Sequence, residues 1–204
     1  MPLLTEAQAG EVAAAISKVE QTTDAELVTV LAKQADSYRY IPLLWAALLA
    51  LLSPGVVMFM PFWLDVREVV LIQLIVFLVM AIILNLPPVM RRIIPPGIKR
   101  WRAANLARRQ FLENNLHHTD GETGVLIFVS ETERYVEIIV DRGISRHVPD
   151  AQWQDIVDEF TRLVRDGETL QGFLTAVERC GKLLAKHVPA TREKDELPNH
   201  MIII

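Results

Sequence analysis

The sequence predicts an α/β fold: an α/β/α sandwich with a small mixed sheet, interrupted by a transmembrane helical hairpin. Three observations carry it. Two short apolar runs, residues 26–31 and 125–129, have the length and composition of strands. Apolar residues recur at helical spacing before and after them, so helices are expected on both faces of the sheet. Between the two runs, residues 41–88 are almost wholly apolar, with one charged break. Because the first strand precedes this stretch and its partners follow it, the two soluble segments must meet to complete one sheet. The expected organisation is a discontinuous α/β domain over residues 1–40 and 91–190, a hairpin over 41–88, and a flexible C-terminal tail over 191–204.

Thr5-Glu6-Ala7-Gln8 is a capping-box sequence, in which the Thr hydroxyl and the Gln amide close the first helical turn reciprocally. Ala9, Val12, Ile16 and Val19 follow on one face, giving a first helix to about residue 21. Thr22-Thr23-Asp24 turns into the first strand, and Asp36-Ser37-Tyr38-Arg39 marks the membrane entrance. The apolar stretch divides at Asp65-Val66-Arg67-Glu68 into spans of 23 residues (41–63) and 18 residues (69–86), neither holding a charge. The longer span reaches about 34 Å as a helix, enough for a hydrocarbon core of ~30 Å. Pro54-Gly55 is expected to kink or loosen it. Gln73 and Asn85 are the candidates for a hydrogen bond between the two helices. With no ionisable group in either span, a channel or carrier is not expected.

Charge sets the expected orientation. Residues 91–109 carry Arg91, Arg92, Lys99, Arg100, Arg102, Arg108 and Arg109 and no acid, whereas residues 110–204 carry 10 Lys/Arg against 17 Asp/Glu. Positive charge beside a span is retained on the cytoplasmic side. The soluble domain and both termini are therefore expected in the cytoplasm, with Phe62-Trp63 at the far interface. Arg91, Arg92, Lys99, Arg100, Arg102 and Arg109 are the expected contacts to anionic lipid headgroups, at roughly 1 kcal/mol per cation. The acidic segment behind them repels phosphates, so nucleic acid is not expected as a partner. A single cysteine, Cys180, excludes an internal disulfide and fits a reducing compartment.

After the hairpin, Pro95-Pro96-Gly97 is expected to stop any helix. A new helix is expected over 98–116, with Trp101, Ala104, Phe111 and Leu112 as its apolar contacts and Arg102, Asn105 and Arg109 on a lipid-facing side. Residues 125–129 read as a strand buried on both faces, and 135–140 as an antiparallel partner, less buried. Two amphipathic helices close the domain. Asp150 is the expected cap of one that buries Trp153, Ile156 and Phe160 and ends at Asp166-Gly167; Leu170, Phe173, Val177 and Leu184 stripe the other.

No nucleotide-binding glycine loop, zinc-ligand pair or nucleophile motif is present. His117-His118 beside Asp120 reads as a solvated helix end, and Cys180 as a packed thiol. Asp24, Asp36, Asp120, Glu122 and Asp141 fall in loops or at strand ends, where carboxylates can hold a hard cation such as Ca²⁺ or Mg²⁺.

Thr123-Gly124-Val125-Leu126-Ile127-Phe128-Val129, the segment Arg134-Tyr135-Val136-Glu137-Ile138, the helix with Phe160 and Asp166-Gly167, and the helix with Gly172 and Ala176-Val177 together resemble the TPM domain. The resemblance covers residues 3–190. The Asp36–Arg39 entrance followed by a hairpin is similar to the bacterial membrane branch of that family, which also includes a thylakoid repair factor and an animal receptor auxiliary protein. It implies an α/β/α sandwich and, in some members, acid-phosphatase activity or Ca²⁺ binding. Where the family often has Asn or Asp-Asn before the glycine of the strand, this chain has Glu122-Thr123, and its Gly-x-Gly is reduced to Asp141-Arg142-Gly143. The expected function is a membrane-tethered cytoplasmic interaction, assembly or quality-control module acting on a membrane-protein partner. The alternative is a weak divalent-metal-dependent phosphatase, with Asp24, Asp120, Glu122 and Asp141 on the metal and Arg142 clamping phosphate.

Overall fold

The computed structural model describes residues 4–59, 61, 64–119, 121–191 and 201–204. They form two compact units, one within residues 1–35 and 100–204 and the other within residues 36–99.

In the first unit, helix α1 (Glu6–Glu20) begins at Thr5 with both bonds of the capping box in place. Strand β1 (Glu26–Ala32) pairs in parallel with β2 (Gly124–Ser130), Glu26 opposite Gly124, although the whole hairpin separates them in sequence. Strand β3 (Tyr135–Val140) adds antiparallel to β2, Val140 opposite Val125. A fourth strand, β4 (Met201–Ile203), completes the order β3-β2-β1-β4. It lies where a flexible tail was expected. β1 is buried along its whole length and needs a neighbour on its second edge, which Met201-Ile202-Ile203 supplies in parallel register with Thr29–Leu31. The Lys33 N–H to Ile204 carbonyl bond, 2.7 Å, and the Ile204 N–H to Leu31 carbonyl bond, 3.0 Å, extend that pairing. The rest of the expected tail, 192–200, lies outside the described residues.

The two-residue period of the strands divides the core. Leu27, Leu31, Val125, Ile127 and Val129 face α1, α7 (Asp150–Arg165) and α8 (Thr169–His187). Val28, Val30, Leu126 and Phe128 face α5 (Pro96–Glu113). The sandwich is thus three helices, sheet, one helix. Phe160 of α7 and Phe173 of α8 meet edge to face at 4.9 Å. The cap of α7 is Pro149, not Asp150, which occupies the first turn and acts through its charge at the positive helix end. On α5 the buried residues are Ala103, Ala107, Gln110 and Phe111, whereas Trp101 and Leu112 are exposed. The expected apolar face was rotated because small alanines, not the large residues, make the close contact with Val28, Val30 and Phe128. Pro96 opens this helix rather than stopping it, as proline suits a first turn whose N–H groups have no helical partner.

Cys180, on α8, is fully buried in the core that α1, α7 and α8 share with the sheet, and burial pushes its thiol from an ordinary 9.0 up to about 12. Below pH 9.0 the thiol is protonated in both folded and unfolded chains. Between 9.0 and about 12 the unfolded thiol ionises first, so stability is expected to fall as pH rises through that window. Tyr135, raised to about 12 by burial and by the neighbouring Glu137, acts in the same direction. Chemical denaturation across this range should show the slope, reduced in Cys180→Ala; an identical slope in that variant contradicts the assignment.

In the second unit, α2 (Tyr40–Met58) and α3 (Val66–Asn85) pack as a pair, followed by the short α4 (Pro87–Ile93). Both long helices are long and apolar enough to cross a membrane. The charged break is not a free turn: Asp65 accepts from the Val66 N–H at 2.7 Å and donates its own N–H to Glu68 at 2.9 Å, so α3 starts three residues earlier than expected. Pro54 lies inside α2 without ending it. Its ring removes the N–H that would bond the Ala50 carbonyl, and the Ser53 hydroxyl donates to that carbonyl at 2.8 Å instead. Asn85 donates to the Ala81 carbonyl of its own helix, at 2.7 Å. Tyr38, fully buried with φ of 54°, packs with Ile41 and Ile94 at the foot of the hairpin. The expected Phe62-Trp63 anchor lies outside the described residues.

Candidate functional site

Strand directions decide which loops meet. Asp24 precedes β1, Glu122 precedes β2 and Asp141 follows β3; with β1 and β2 parallel and β3 antiparallel, all three fall at one end of the sheet. The junction is tight. Thr123 Oγ1 donates to the Asp24 carbonyl at 3.1 Å, and the Glu26 N–H to the Thr123 carbonyl at 3.3 Å. The Asp141 N–H reaches the Gly124 carbonyl and the Gly143 N–H the Glu122 carbonyl, each at 2.9 Å.

Two glycines permit this approach. A Cβ on Gly124 would stand 2.1 Å from the Leu116 carbonyl oxygen, and one on Gly143 2.1 Å from that of Gly121. Glu122 itself has φ of 57°, a conformation that costs an ordinary side chain energy and is held here by the bonds on either side.

Three of the predicted carboxylates, Asp24, Glu122 and Asp141, are brought to one sheet end, but each of these already has a role. Asp24 accepts from the Thr191 N–H at 2.9 Å through Oδ1 and from the Thr191 hydroxyl through Oδ2. Asp141 caps the four-residue helix α6 (Arg142–Ser145), accepting from the Arg142 N–H at 2.7 Å. Glu122 faces Arg146 at 3.8 Å, an exposed pair worth little in stability. Asp120 lies outside the described residues. Arg142 is exposed at the start of α6. Among the described residues, no three His, Cys, Asp or Glu come together as a metal-binding group. Asp36 lies in the other unit and accepts from the Tyr38 N–H at 3.3 Å. His117 and His118 are exposed, their rings 4.1 Å apart.

Sequence reasoning missed Arg146, and also His147, whose Nδ1 lies 2.9 Å from the Gly143 carbonyl. The spacing of four between Gly143 and His147 was the available signal.

The basic segment is divided between the units. Arg92 is exposed on α4, where Arg91 also falls, its side chain outside the described residues. Lys99 is half-buried. On α5, Arg100 is exposed, Arg109 pairs with Glu113 at 3.0 Å, and the Arg102 guanidinium lies 5.0 Å from the Trp101 ring. Trp101, Arg108 and Leu112 thus share the solvent-facing side of this helix.

Residues 94–183 match the family model described as TPM domain. No curated protein matches the chain. Among solved structures, the NMR structure of the BA42 protein from the psychrophilic bacterium Bizionia argentinensis has a similar fold, with a TM-score of 0.60 and 19% identity over 98% of this chain and 94% of that one.

Proposed function

We propose that this chain, whose residues 94–183 match the TPM domain model, is a membrane-tethered module that binds another membrane protein from the cytoplasmic face and assists its assembly or quality control. One observation carries the reading. Two long apolar helices leave and rejoin the α/β unit between β1 and β2, and α3 has no buried residue at all. A core helix of a soluble protein is mostly buried; a helix with Leu71, Leu74, Ile75, Leu78 and Ile82 all exposed needs lipid or another protein around it. Insertion at that point ties the domain to the membrane from within its own sheet. The cations of residues 91–109 favour the cytoplasmic side of an inner membrane. Arg92, Lys99, Arg100, Arg102 and Arg109, with the exposed Trp101, suit anionic headgroups at the surface.

Affinity purification in a mild detergent is expected to recover a stoichiometric membrane-protein partner. Recovery of this chain alone, together with hydrolysis of a phosphate ester by the purified protein that depends on Mg²⁺ or Ca²⁺ and falls in Asp141→Ala, would replace this reading with the phosphatase. In that case Glu122, Asp141 and Arg142 at the sheet end are the residues to follow.

A further inference from the structure

At the end of the sheet opposite these loops, a groove of about 550 Å³ opens between the β2–β3 turn and the C-terminal half of α7. Val129, Val136, Phe160 and Val164 give it an apolar wall, and Arg134 and Arg165 stand at its mouth. Neither arginine makes an ion pair among the described residues. Glu131 lines the groove as well, so the rim holds two cations against one anion.

The groove runs beside a sheet edge. Among the described residues β3 has a strand neighbour on one side only. The Asp141 N–H to Gly124 carbonyl bond sets the phase of the β2–β3 ladder. Residues 135, 137 and 139 exchange bonds with β2, which turns the N–H and C=O groups of Val136, Ile138 and Val140 outward. Edges of this kind are ordinarily blunted by lysine, proline, a bulge or shortness. The opposite edge, β4, has three residues. β3 has six, Tyr-Val-Glu-Ile-Ile-Val, and its one charge, Glu137, accepts from the Tyr135 hydroxyl at 3.0 Å.

We propose that β3 and this groove dock an extended, acidic segment of the partner, added as a further strand, with its carboxylates at Arg134 and Arg165. The outward backbone groups specify an extended chain rather than a helix. The apolar wall takes alternate side chains, and the arginines select acidic over basic sequences. This inference rests on the interaction reading above and names the chemistry of the partner.

The test uses the whole protein in zwitterionic lipid nanodiscs. The probe is a fluorescent peptide of about ten residues, alternating valine and threonine and ending in glutamates, long enough to cover the strand. Saturable binding is expected. Exchanging its glutamates for lysines, or making the double variant R134E/R165E, should weaken binding about ten-fold or more. N-methylation of alternate peptide nitrogens should abolish it, and Val136→Pro, which removes an outward N–H, should weaken it. Thermal melts of both variants check that they fold; Arg134 and Arg165 are exposed, so the double variant is expected to melt as the parent does. Equal binding of the N-methylated or lysine peptide, or none at all, overturns the proposal. A concentration-dependent dimer dissolved by Val136→Pro also overturns it, in favour of a second copy at this edge. A partner retained equally by R134E/R165E sinks the groove and leaves the interaction reading standing; peptide binding without any recovered partner does the reverse.

Discussion

Replacing Gly143 by alanine is expected to destabilise the domain by about 2–4 kcal/mol, the sum of an overpacking cost and a weakened hydrogen bond. The added Cβ would lie 2.1 Å from the Gly121 carbonyl oxygen and 2.6 Å from that of Glu122, and both obstacles are backbone. Neither can rotate away as a side chain would. The loop before β2 and the turn after β3 must separate, breaking the Gly143 N–H to Glu122 bond. Glu122, already at φ of 57°, loses its tether in the same step. Gly10→Ala is the matched control. Its Cβ meets nothing within 4 Å and sits inside α1, so it should leave stability unchanged or raise it by about 0.5–1 kcal/mol. Denaturant midpoints of both variants decide the matter, and equal midpoints would mean that the junction yields more easily than its geometry indicates.

The second large effect concerns β1. Residues 95–190 expressed alone lack β1 and β4, so β2, buried along its whole length, loses its parallel neighbour and exposes an apolar edge. That fragment is expected to aggregate or to melt without cooperativity. The complementary variant replaces residues 36–99 by a Gly/Ser linker of about twelve residues, whose closure costs only a few kcal/mol. It keeps all four strands and should be soluble with a cooperative melt, because both cores belong to the unit of residues 1–35 and 100–204. A stable, monomeric 95–190 fragment would show β1 to be dispensable.

Much of this fold is legible in the sequence, for identifiable reasons. Val125-Leu126-Ile127-Phe128-Val129 can only be satisfied by burial on both faces, and Thr5 with Gln8 fixes the start of α1 by local chemistry. What escaped reading depends on distant partners or on size. Met201-Ile202-Ile203 follows a polar stretch and becomes a strand only because β1 offers an open edge. The α5 contact face was misread because Ala103 and Ala107 are nearly silent in apolar patterning, yet their smallness lets the helix approach. Pro87-Pro88 conceals α4, since prolines at the first helical positions look like a break. At the sheet end, strand order brings Asp24, Glu122 and Asp141 together. Nothing local announces that Thr191, from beyond α8, occupies Asp24, or that Gly143 wedges against Gly121.

Labelling of introduced cysteines in intact cells measures directly whether the hairpin crosses the membrane with the α/β unit in the cytoplasm. With Cys180 replaced, a cysteine at position 65, in the capped turn before α3, should react with an impermeant maleimide added from outside. One at position 195 should react only after the cells are opened. Labelling at 195 with protection at 65 would reverse the orientation, and protection of both in intact cells with free reaction of both after lysis would show that the hairpin does not cross the membrane.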